Sequence, residues 1–71
     1  MEIREAFAKN LRRVRRLKGM SQEELAHRAA TDRTYISALE RSIYTRSIEV
    51  LDRIATALGV DASELLDKSQ P

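Results

Sequence analysis

Seventy-one residues are enough for one small domain, and a chain of this length buries only about 60% of the surface that its unfolded form exposes, so the core is efficient or is shared with a partner. Cysteine is absent and histidine occurs once, which excludes disulfide staples, Cys-ligated zinc and sites built from several histidines. With 34% charged and 42% hydrophobic residues, no apolar run near the roughly 18 residues that span a bilayer, and a charged Met1–Glu5 start unlike a signal peptide, residues 1–71 are expected to form a single soluble, cytoplasmic domain.

The elements are all helical. Gly and Pro are confined to Gly19, Gly59 and Pro71, and strand-like alternation of β-branched residues is missing. A first helix is predicted over about residues 2–18, where Ile3, Phe7, Asn10, Leu11, Val14 and Leu17 recur at three- and four-residue steps. Gly19 stops it, with Arg15, Arg16 and Lys18 complementing its C-terminal dipole. Ser21 and Glu24 form a capping box that opens a second helix over about 22–29, burying Leu25, Ala26 and Ala29. Asp32 is a good N-cap for a third helix over about 33–41. Ser47 caps a fourth over about 47–58, with a wide apolar face of Ile48, Leu51, Ile54, Ala55 and Leu58, ended by Gly59. Asp61 and Glu64 make a second capping box before a short fifth helix over about 62–67.

The net charge of +2 is unevenly spread. Residues 1–46 carry eleven Lys/Arg against six acids, +5, whereas residues 47–71 carry two against five, −3. The first part therefore attracts a polyanion and the end is left for protein contacts. The second and third helices are short and joined by a tight turn around Ala30–Asp32, the arrangement of a helix-turn-helix. At about 100° per residue, with Arg33 at zero, Ser37, Arg41 and Thr34 fall near 40°, 80° and 100°, while Leu39 and Ile36 fall near 240° and 300°. One face is cationic and hydroxyl-rich and the other apolar. An ordinary surface helix shows such a pattern too, but the turn before this one and the basic charge around it favour the DNA major groove. There Arg bonds guanine O6 and N7, and hydroxyls serve bases or phosphates.

The stretch GMSQEELAHRAATDRTYISALER, continued without a gap by SIEVLDRIATALGVDASELL, resembles the phage-repressor and Cro-like helix-turn-helix superfamily, the Xre type. The run DRTYIS and the small size are most similar to the controller proteins of restriction-modification genes. The resemblance implies an all-α, compact five-helix lambda-repressor-like DNA-binding domain. It places Gln22 on the DNA backbone, and the amides at that helix start suit phosphate in any case. It places Arg33 on a guanine, Thr34 and Ser37 on base edges or phosphate, and Arg41 and Arg46 on the backbone. Tyr35, near 200° on the helix by the same step of about 100°, is equally suited to DNA contact and to packing beside the groove. Arg15 and Glu40 occupy the positions of a structural ion pair in the family. The chain departs from the family at Ala30–Thr31, where a glycine and an aliphatic residue are usual. An alanine forced to positive φ costs on the order of 1 kcal/mol, so a strained or rearranged turn is expected. It departs again at Ser42–Arg46, where the usual glycine and Asn-Pro are missing; Arg46 is left as the backbone contact and Ile43 and Tyr44 are expected to pack against a neighbour.

His27 has no second His, Cys or nucleophile beside it and reads as a surface residue. Glu23, Glu24, Asp61 and Glu64 are explained by helix starts rather than by acid–base chemistry. The cluster Arg12, Arg13, Arg15 and Arg16 is expected to be part structural and part solvated, with an occasional phosphate contact by Arg12 or Arg16. No phosphate-binding glycine loop or metal spacing is present, so no enzyme activity, cofactor, metal, small-molecule ligand or membrane partner is expected. A lone recognition helix reads few base pairs. A homodimer on a palindromic operator, with half-sites about 34–36 Å apart, is therefore expected. Val50, Ile54, Val60 and Leu65 on the fourth and fifth helices are the candidate interface. The resemblance implies control of restriction-modification genes, including the protein's own. A phage-type repressor or antitoxin of the same fold is the alternative, and a protein-interaction module without DNA binding is the rival of another class.

Overall fold

A computed structural model describes residues 2–43 and 48–69. Five helices follow one another: α1 (Ile3–Leu17), α2 (Gln22–Arg28), α3 (Arg33–Glu40), α4 (Ile48–Leu58) and α5 (Ala62–Leu65). The expected boundaries stand within one or two residues, and Ser47, expected to cap α4, lies outside the described residues. Two caps act as the sequence implies. Ser21 Oγ accepts from the Glu24 amide at 3.0 Å, and Asp32 Oδ1 accepts from the Tyr35 amide at 2.8 Å. Asp61 stands at the N-cap of α5 without a side-chain bond. The Glu64 amide donates to the Asp61 carbonyl instead, a single tight turn that makes the carboxylate cap unnecessary.

Four helices end in the same way, with two amides folded back on the last turn and a left-handed residue between them. Gly19 (φ 71°) and Gly59 (φ 74°) do this in α1 and α4. Ala30 (φ 57°) does it for α2, its amide donating to the His27 carbonyl while Thr31 donates to the Ala26 carbonyl. Ser42 (φ 57°) does it for α3. The alanine in the turn is thus strained, at about 1–2 kcal/mol, but the turn is not rearranged.

The core is one cluster: Phe7, Leu11 and Val14 of α1, Leu25 and Ala26 of α2, Ile36 and Leu39 of α3, Ile54, Ala55 and Leu58 of α4, and Leu65 of α5. The stripe of α1 is corrected at its ends, because Ile3 and Leu17 are exposed. Asn10, in the middle of that stripe, is a buried polar residue. Its Nδ2 donates to the carbonyls of Leu65 (3.0 Å) and Asp67 (2.9 Å), so α1 caps the end of α5.

Candidate nucleic-acid interface

α3 is held from behind. Ile36 and Leu39 are buried in the core, and Glu40 at its end is buried against α1 and α2. Arg15 donates to Glu40 through Nε (2.6 Å) and Nη2 (3.0 Å), and its Nη1 reaches the Met20 carbonyl at 2.8 Å. Gln22 Nε2 also donates to Glu40, at 3.1 Å. One carboxylate therefore gathers the end of α1, the start of α2 and the end of α3, with a bidentate, desolvated geometry that fixes their mutual angles. Gln22 is pinned by it, and its amide retains a second N–H for a phosphate.

The opposite face of α3 looks outward. Arg33 and Thr34 in its first turn are exposed, Ser37 one turn on is half-buried, and Arg41 caps the end with its Nε bonded to the Ser37 carbonyl. Tyr35 is the correction on this helix. It is 8% exposed and belongs to the core cluster with Phe7 and Leu39, since its position near 200° turns it toward α1 and not toward the open face. Arg46 and Tyr44 lie outside the described residues, and Ile43 is exposed rather than packed. Arg12 and Arg16 are exposed on α1, and His27 is exposed on α2. Among the described residues no three His, Asp or Glu come together as a metal site, and no helix is long and apolar enough to cross a membrane.

The candidate dimer surface needs two corrections. Ile54 and Leu65 are 0% exposed, because both belong to the core cluster that the five helices share; neither offers area to a second copy. Val50 and Val60 are half-buried but line different depressions. Val50 edges an apolar groove of about 190 Å³ with Ile3, Phe7, Leu39, Ile48 and Leu66. Val60 sits beside Arg13, Leu17 and Glu64. The sequence reading missed Ile48 as a surface residue, although it is 83% exposed; its place in the apolar periodicity of α4 assigned it to the core. Arg53 was missed as well. Its Nε donates to the Ala29 carbonyl, in the turn between α2 and α3, at 3.0 Å.

A buried scaffold presenting the polar face of a second, short helix is the structure of a helix-turn-helix, and the sequence pattern of the helix-turn-helix family matches residues 11–65. The chain belongs to that family of DNA-binding transcription regulators, which are not enzymes. It is 45% identical over 65 residues to a hypothetical transcription factor of Neisseria meningitidis, a match covering 92% of this chain and 61% of that protein's length. It is 42% identical over 66 residues to control protein C.BamHI of Bacillus amyloliquefaciens, covering 92% and 82% of the two chains. The crystal structure of the restriction-modification controller protein C.AhdI from Aeromonas hydrophila matches with a TM-score of 0.84 at 37% identity, over 87% of this chain and 94% of that one. Restriction-modification controllers are thus among its relatives, as the run DRTYIS implied.

Proposed function

We propose that this chain is a sequence-specific regulator of the restriction-modification controller type, binding a palindromic operator as a homodimer and controlling those genes and its own. The observation that carries this reading is the outward face of α3, where Arg33 and Thr34 are exposed beside Ser37 and Arg41 on a helix whose other side is locked into the core. Arg33 reads a guanine, Thr34 and Ser37 reach base edges or phosphate, and Gln22, Arg41 and Arg46 hold the backbone. C.BamHI and C.AhdI support the controller reading because the chain spans most of their length, leaving little of either outside the match. Ile48, Val50 and Leu66, which line one apolar groove with Ile48 83% exposed, form the dimer contact.

Selection of binding duplexes from a random-sequence pool, followed by sedimentation of the free and bound protein, tests the reading. Enrichment of a palindrome with half-sites about 34–36 Å apart, bound by two chains, is expected. Recovery of no duplex, or of an asymmetric site bound by one chain, refutes it.

A further inference from the structure

α2 and α3 are joined by four residues, 29–32, and the direction in which α3 leaves depends on Ala30 holding a left-handed conformation that an L-residue with a side chain disfavours. Were Ala30 to relax to negative φ, the amides of Ala30 and Thr31 would lose the His27 and Ala26 carbonyls, and α3 would swing relative to α2. Gly19 and Gly59 need no such support, and Ser42, left-handed at the end of α3, has its Oγ donating to the Arg4 carbonyl at 3.2 Å. At Ala30 an extra restraint is present: the Arg53 guanidinium, from α4, donates to the Ala29 carbonyl. That carbonyl is one of the terminal acceptors that a helix leaves without an internal partner, and a cation there also complements the α2 dipole. The orientation of the Ala29–Ala30 peptide is set by the same rotation that makes φ of Ala30 positive, so a donor fixed on the carbonyl resists the relaxation. Arg53 is itself exposed, but the α4 backbone that carries it is fixed, because the neighbouring Ile54 and Ala55 are buried in the core.

We propose that Arg53 is a positioning residue for DNA recognition: by holding the Ala29 carbonyl it keeps Ala30 left-handed and so sets the angle at which α3 meets the groove. The role in recognition rests on the DNA-binding reading above; the hold on the turn does not.

The test compares Arg53→Ala in two backgrounds, Ala30 and Ala30→Gly, in the full chain. Two readouts are taken: affinity for the duplex selected by the unsubstituted protein, and thermal melting without DNA. Glycine removes the strain, so Arg53 has less to do beside it. Arg53→Ala is expected to weaken duplex binding about tenfold with alanine at 30 and less than about threefold with glycine there, a coupling within the range for residues that touch. Any loss of simple charge attraction to DNA is the same in both backgrounds and cancels. Arg53→Lys, which keeps a charged donor, retains most of the affinity, and the melting temperature shows the same coupling. Equal loss in both backgrounds, or a lysine variant as weak as the alanine one, overturns the proposal and leaves Arg53 a surface cation. If no duplex is selected, the regulator reading fails and the role in recognition with it, while the melts still decide whether Arg53 holds the turn.

Discussion

Glu40→Gln removes one negative charge at the point where three helices meet. Glu40 is 5% exposed and accepts from Arg15 twice and from Gln22 once, and Arg15 is itself 9% exposed. The substitution leaves the guanidinium buried without a counter-charge and turns one acceptor into a donor facing donors. Breaking one side of such a pair costs about 3–5 kcal/mol, whereas an exposed pair such as Arg28–Glu24 contributes about 0–1 kcal/mol. A domain of 71 residues has a total stability of roughly 4–11 kcal/mol, so the variant loses about a quarter of it or more. Urea unfolding should show a lower midpoint with an unchanged slope, and the melting temperature should fall by roughly 12–24 °C for 3 kcal/mol. The double variant Arg15→Met/Glu40→Leu, which removes both charges and refills the space, should recover much of the loss. A single variant that loses less than about 1 kcal/mol, or a double variant worse than either single one, refutes the claim that desolvation makes this pair matter.

Three further outcomes are expected. Arg33→Ala should cost about 1–3 kcal/mol of specific binding and relax preference at one base position, read by fluorescence anisotropy against the selected duplex and its single-base variants. Asn10→Ala leaves the Leu65 and Asp67 carbonyls without their donor and should destabilise the fold by about 1–3 kcal/mol in urea, with α5 losing amide-exchange protection first. Ile48→Ser should leave the chain's melting temperature within a few degrees, because the side chain is 83% exposed, yet weaken the proposed dimer in sedimentation.

The helices and the outward face of α3 were legible because the forces behind them act over three or four residues. Ser21 and Asp32 cap the amides three residues on, Gly19 and Gly59 end their own helices, and a step of about 100° puts Arg33, Thr34 and Ser37 opposite Ile36 and Leu39. The Arg15–Glu40 positions were read through the family pattern, while the addition of Gln22 to that pair required coordinates. What the pattern could not supply lies in contacts between distant parts of the chain. An apolar residue on α4 or α5 reads the same whether a neighbour covers it or solvent does. Packing of the helices into one core buried Ile54 and Leu65 and left Ile48 outside. Tyr35 is 8% exposed and lies in the same core cluster as Phe7 of α1. Asn10 finds its acceptors 55 and 57 residues away, and Arg53 finds the Ala29 carbonyl 24 residues back. Local periodicity carries no record of such pairings; they exist once five short amphipathic helices have agreed on a single core.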